Sequence, residues 1–444
     1  MSKPEKNCSI PALKLFDGNW ALTPTEKAEE LSRSFEAKVR LPEAVVNEFT
    51  VVEKGSSEMS SCCLLRVRSA KQTLIQLSET SATGPDLLPS IILKQCAAAL
   101  AIPFTKLARR IVSVGVWPAM WRSHWVCPIF KKKDASNADC YRGVHLTAQM
   151  SKAMERYVGK LFLPFLEKTI AYGPNQFAYA KGRGGRDALL HTTLSWIWEL
   201  CNGRKIAVFC SDVSGAFDKV RASRLLEKLA AKGVNEQLLR LLRSWLAVRS
   251  SVVIVGGKKS AARQLWNMVF QGTVWGPPLW NSFFEDARRA VAANLFSETV
   301  YADDLIAFRA FLVEVSNSCL DEAMRSCQDD LHRWGNANQA TFDPAKESFH
   351  IISRQSPQGE NFVELGVEFD TRLVMRDAVH QCAAEAGWKI KAVLRPQRFF
   401  TTTETVKLYK THVLSIIEYR TPAIAHAAPS ILLEIDRLQP PFPT

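Results

Sequence analysis

No apolar run in this chain approaches the roughly 18 to 20 residues needed to span a bilayer. The N-terminal stretch MSKPEKNCSIP has no apolar core of the kind a secretory signal requires. Both absences argue against a membrane-embedded or exported protein, and an intracellular one, cytoplasmic or nuclear, is expected. The 11 cysteines form no CxxC pair and no Cys/His cluster at zinc spacing, which excludes the common zinc modules and points to free, mostly buried thiols. The adjacent Cys62-Cys63 reads as structural, and the eight histidines show no HExxH or clustered pattern. There is no internal repeat and no long low-complexity segment. Acid is also in short supply: 44 Asp+Glu stand against 57 Lys+Arg, a formal charge of +13. Such a chain suits a polyanionic partner, nucleic acid before a membrane surface. Apolar residues are plentiful, at 47% of 444, enough for two or three domains or subdomains with a sizeable core.

Patterning places the elements. Residues 1–70 read as a lead-in with helical periodicity from Pro24 to Leu31, followed by a Ser/Glu-rich loop over 53–58. The turn Thr83-Gly84-Pro85-Asp86 opens a long helical stretch with Asp86 as its N-cap. A strand is expected over 125–130, running into Lys131-Lys132-Lys133, then a helix over 149–166 and a buried strand over 206–213. Helices follow at 222–232 and 236–247, then a hairpin turning at Gly256-Gly257. TVYADDLIAF (299–308) reads as strand, tight turn, strand. A helix over 313–334 and strands at 348–353 and 364–369 come next, and the remainder from 376 is helical and basic at its start. Helices mixed with a small antiparallel sheet make the class α+β.

The chemistry centres on Asp303-Asp304. Adjacent carboxylates in a β-prone apolar run repel each other, and desolvating them costs several kcal/mol without a compensating cation. An isolated pair of this kind is usually a solvated turn. A second acidic site, Asp212 at the end of the strand IAVFCSDV, changes that reading. Two strand-embedded acidic sites fit divalent-cation chemistry on phosphate, with hard oxygen ligands of the type Mg²⁺ prefers. The Lys131–Lys133 run alone is more often a solvated basic face, and Phe217 alone a core aromatic.

Taken in order, these segments resemble the reverse transcriptase domain of non-LTR (LINE-type) retrotransposons. YADD (301–304) and DVSGAFD (212–218) are similar to the two acidic palm motifs, and FQGTVWGPPLWNSFF (270–284) to the QG-x-x-x-GP motif between them. WVCPIFKKKDASNADCYRGVHLT (125–147) resembles the fingers segment, flanked by Thr83-Gly84-Pro85-Asp86 and NQFAY (175–179). Lys346 and Leu365-Gly366-Val367 match elements beyond the YADD turn.

The resemblance implies a right-hand polymerase: fingers over 71–200, palm over 201–375 with part of the fingers intercalated, and a truncated helical thumb over 376–444. Asp212, Asp303 and Asp304, with the Val213 carbonyl, would hold two Mg²⁺ ions. Lys131 or Lys132 and Arg142 would grip the triphosphate, and Gln271 and Gly272 would line the nucleotide and templating base. Phe217 would act as a steric gate against a ribose 2′-OH, selecting dNTPs, and Lys346 would serve the departing pyrophosphate. Lys389, Lys391, Arg395 and Arg398, interleaved with Trp388 and Phe399, would track a duplex backbone; a solvated amphipathic helix reads equally well there. Partners would be an RNA template, a DNA primer and dNTPs, with an endonuclease supplied elsewhere.

Three positions depart from the family pattern. Gly143 stands where a Pro is common, Phe270 where a Pro is common, and Trp275 where a Leu is usual. A catalytically inactive RNA-binding remnant or co-opted protein of the same fold and a maturase-type intron reverse transcriptase are the alternatives, with an RNA-dependent RNA polymerase a distant third, disfavoured by Phe217 and by Ala302 where a Gly is typical.

Overall fold

The computed structural model describes residues 10–42, 55, 57–60, 64–131 and 133–438. The chain folds into two compact units, one made of 1–174, 214–286 and 335–341, the other of 175–213, 287–334 and 342–444. Lys132 and the Cys62-Cys63 pair lie outside the described residues.

The second unit is built on a four-stranded antiparallel sheet. Arg204–Asp212 and Asp304–Leu312 form its centre, with Ser348–Ile352 and Ser297–Tyr301 outside them. Alternation along the central strands puts Ile206, Val208, Ile306 and Phe308 on one face. There they pack with Leu189 and Trp196 of the helix Gly185–Cys201 and with Val379 of Arg376–Leu394. The expected strand over 364–369 is instead a hairpin, Phe362–Glu364 paired with Val367–Phe369. Leu365 and Gly366 turn it in left-handed conformations, φ 46° and 78°. The helix expected over 313–334 starts later and spans Asn317–Asn338.

In the first unit, Tyr141–Leu146 pairs antiparallel with Ser123–Phe130, which runs parallel to Arg249–Val255. The hairpin through Gly256-Gly257 forms as expected, with Val255 opposite Lys258. The stretch expected as one helix over 149–166 is two, Gln149–Gly159 and Leu163–Lys168. The stretch after Asp86 is also broken, into Ser90–Gln95 and Ala97–Val114. Asp86 caps neither of these; its carboxylate accepts from the Gln149 N–H at 3.0 Å, at the start of a helix whose own N-cap, Ala148, has no side-chain acceptor. The Pro24–Lys38 helix is closed by a Thr23/Glu26 capping box and buries Leu31 and Phe35 beside Val126 and Val253 of the sheet.

A buried polar relay ties this unit together. Arg249 stacks on Phe270 and Trp245, its guanidinium 4.2 and 4.7 Å from the ring centroids, and donates to His124 Nε2 at 2.7 Å. His124 Nε2 is therefore an acceptor. Its Nδ1–H is left to donate to His145 Nδ1, 3.1 Å away. Glu155, also buried, accepts from Trp245 Nε1 at 3.2 Å and from the Val274 N–H at 2.7 Å. Trp275 fills the same core and donates to the Glu155 carbonyl at 2.7 Å, which is what the Trp in place of Leu does here.

Candidate active site

In the second unit the antiparallel register sets Asp304 directly opposite Asp212 on one side and opposite Tyr301 on the other. Two strand ends thus bring together acids that are ninety-odd residues apart in sequence. The intervening turn passes through Ala302, whose φ of 60° is a conformation that costs a non-glycine residue about 1 to 2 kcal/mol. Gln176 holds it there. Its Oε1 accepts from the Ala302 N–H at 3.0 Å and the Ala178 N–H at 2.9 Å, and its Nε2 donates to the Ala302 carbonyl at 3.4 Å. The neighbouring backbone adds Phe177 N–H to Val300 O, 2.9 Å, and Val300 N–H to Asn175 O, 3.0 Å.

The electrostatics follow from this crowding. Burial pushes the Asp304 carboxyl up to about 7, helped by its hydrogen bond with Asp212 and by the charges of Asp303 and Asp212. Lys346 donates to Asp212 Oδ2 and forms an ion pair with it. Partial burial works to lower the Lys346 ammonium, but Asp212, with Asp304 beyond it, raises it on balance. The segment bearing Lys346 is fastened by the Asp343 N–H on the Asp212 carbonyl, 3.0 Å, and by Glu347. One Glu347 oxygen meets Ser211 Oγ at 3.0 Å and His332 Nε2 at 2.8 Å, and the other Gln328 Nε2 at 2.8 Å. A cleft of about 370 Å³ opens beside Asp212, Asp304 and Lys346, with Glu364 and His350 farther along its wall.

The carboxylate oxygens and the Val213 carbonyl are hard donors, and the repulsion held in Asp304 is what a dication would relieve. Among the described residues no three His, Cys, Asp or Glu side chains are gathered round one point. The remaining ligands would therefore be backbone, water or phosphate, which is how Mg²⁺ is commonly held. The donor set fits such an ion.

The other expected nucleotide-binding residues fall in the first unit. Phe217, on the one-turn helix Ala216–Asp218, is buried near Trp280, ring centroids 6.0 Å apart at 25°. Gln271 gives its carbonyl to the His145 N–H at 2.9 Å, so this loop is stitched to the strand carrying Arg142. Gly272 has φ 94°, and a Cβ there would come 2.6 Å from the His145 carbonyl oxygen, so only glycine fits. Arg142 and Lys131 are exposed at the end of the strand pair in which Arg142 lies opposite Ile129. Burial raises the Asp218 carboxyl nearby, against the pull of Lys38, Lys131, Arg142 and Lys219.

Lys391, Arg395 and Arg398 are exposed and Lys389 half-buried. Lys389 lies 5.0 Å over the Trp388 ring and Arg398 4.8 Å over Phe399. Gln176, Glu347 and Lys38 were not singled out by sequence reasoning. Of the three, only Gln176 left a signal, its place in the NQFAY motif.

Residues 130–369, more than half of the chain, match the family described as reverse transcriptase (RNA-dependent DNA polymerase). The chain is 25% identical to the RNA-directed DNA polymerase from mobile element jockey of Drosophila melanogaster, over 96% of this chain and 49% of that protein. The jockey protein of Drosophila funebris is 24% identical over 95% of this chain. A probable RNA-directed DNA polymerase from transposon BS of Drosophila melanogaster is 25% identical over 60% of this chain and 29% of its own length. The chain spans about half the length of the jockey proteins. It belongs to the reverse transcriptase family, as a LINE-type domain of the kind found in non-LTR retrotransposons.

Proposed function

We propose that this chain is an RNA-directed DNA polymerase that extends a primer 3′-OH with dNTPs on an RNA template. The observation that carries the reading is the register that sets Asp304 against Asp212 at the end of a buried antiparallel sheet, with Asp303 beside it. In this reading the sheet around Arg204–Asp212 is the palm, the Ser123–Phe130 sheet with its helices belongs to the fingers, and the helices from Arg376 are the thumb. Members of this family use divalent metal ions. Here Asp212, Asp303, Asp304 and the Val213 carbonyl would hold two Mg²⁺, whose charge would make the primer hydroxyl more acidic and offset the charge of the phosphates.

The protein's own groups have distinct tasks. Lys346, already poised on Asp212, supplies a proton or a positive charge to the departing pyrophosphate. Arg142 and Lys131 grip the triphosphate, the first as a fork and the second as a point charge. Phe217 crowds the sugar 2′ position, and Gln271 and Gly272 let backbone run close to the base. Lys389, Lys391, Arg395 and Arg398 bind the nucleic-acid backbone. An endonuclease activity would come from elsewhere. No described helix is long and apolar enough to cross a membrane, and the place of action is taken as cytoplasm or nucleus.

The test is primer extension on poly(rA) with oligo(dT). The wild-type chain extends with dTTP and not UTP, and Asp303→Ala lowers the rate by at least about a thousandfold. Absence of extension by a folded wild-type chain that still binds RNA in a salt-sensitive way would move the reading to an inactive remnant.

A further inference from the structure

The helix Pro24–Lys38 lies outside the stretch matched to the family, and by sequence it is only part of a lead-in. Its last turn nevertheless enters the same hollow as Lys131 and Arg142. The hollow is narrow, about 30 Å³ inside, and is lined by Phe35, Lys38, Lys131, Arg142, Gly143 and Asp218 among others. That is room for two or so water molecules, or for one terminal phosphate group with the rest of a ligand outside.

Lys38 Nζ donates to the carbonyls of Asp139 and Tyr141, both at 3.1 Å, with the Asp139 carboxylate 3.7 Å away. Two of its three N–H groups are thus accounted for, and they grip the backbone immediately before Arg142. Phe35 fixes the same strand from the apolar side. A Cβ on Gly143 would lie 3.2 Å from the Phe35 ring and 2.9 Å from a Val126 methyl, so the glycine makes room for the ring. Three cations, Lys38, Lys131 and Arg142, line this hollow with the carboxylate of Asp218, and the Asp139 carboxylate stands beside Lys38. Two carboxylates leave the three cations with a surplus of positive charge that a polyphosphate can neutralise.

We propose that the helix Pro24–Lys38 is a wall of the triphosphate site, with Lys38 as a third phosphate-binding cation beside Lys131 and Arg142 and Phe35 as the wedge that sets the strand at Gly143. The nucleoside part of this assignment rests on the polymerase reading, whereas the phosphate part rests on the charge cluster alone.

Calorimetric titration of the whole chain with inorganic triphosphate tests it without requiring catalysis. Lys38→Met weakens binding about tenfold, whereas Lys38→Arg, which keeps donors for the Asp139 and Tyr141 carbonyls and melts with the wild type, stays within about twofold of it. In primer extension, Lys38→Met raises the KM for dTTP and leaves kcat nearly unchanged. Wild-type affinity in Lys38→Met overturns the proposal. So does a loss shared equally by Met and Arg and accompanied by a lower melting temperature, which would make Lys38 a strand staple only. A wild-type chain that binds no triphosphate overturns it too. Triphosphate binding that depends on Lys38 in a chain that extends no primer supports the pocket and overturns the polymerase reading instead.

Discussion

At the scale of single residues, the site combines groups whose neighbours determine what they can do. Phe217 is buried against Trp280, so its ring is held in place. Phe217→Ala should admit the ribose hydroxyl, and the preference for dTTP over UTP in single-nucleotide extension falls by at least about tenfold, with dTTP use retained. Gln176 satisfies both backbone groups of a strained Ala302. Gln176→Ala removes the side-chain acceptor of the buried Ala302 N–H, a loss of about 1 to 3 kcal/mol. A lower unfolding midpoint should accompany a kcat reduced by about tenfold or more, because the turn that aims Asp303 and Asp304 relaxes; an unchanged kcat would remove Gln176 from the positioning of the acids. The acids were legible in sequence because a carboxylate pair inside an apolar run is costly without a purpose. Glu347 was not, since one acid in TFDPAKESFHI carries no such signal until Ser211, Gln328 and His332 are seen to meet it.

At the scale of elements, most strands and helices follow from period and turn chemistry, including Arg204–Asp212, Glu236–Trp245 and the hairpin at Gly256-Gly257. The misplacements have two causes, a deciding partner remote in sequence and a turn whose residue does not advertise it. Asp86 looks like a local N-cap, yet the helix it caps begins at Gln149. Asp86→Ala should therefore lower stability by about 1 kcal/mol in urea unfolding, and Asp86→Asn, which keeps an acceptor, by less. The short strands Phe362–Glu364 and Val367–Phe369 read as one because Leu365 occupies a left-handed turn position that its side chain does not favour. The Pro24–Lys38 helix was visible as a helix, but its packing against the sheet beside Arg142 was not.

At the scale of the whole molecule, pH couples to stability through histidines buried in neutral form. His145 is pushed down to about 3, first by burial and then by Arg249, and His124 is lowered well below its usual value by burial, Arg249 and His145. Their folded values lie below the unfolded value of about 6.5. The unfolded chain therefore binds more protons as pH falls from about 6.5 towards 3, and stability is lost across that window while being fully present above it. The urea midpoint should drop between pH 7 and pH 5, and the drop should shrink in His145→Asn, which keeps an acceptor for His124 but cannot titrate. By itself the sequence determined the basic character, the ordered motifs and the identity of the acids, because composition, period and the cost of adjacent carboxylates are local properties. Only the tertiary structure decided that Asp304 faces Asp212, that Lys346 rests on Asp212, that Gln176 holds the turn and that Lys38 reaches the strand of Arg142. Those contacts join residues from about 90 to over 130 positions apart, and strand register and side-chain packing, which bring them together, are set by the whole core at once.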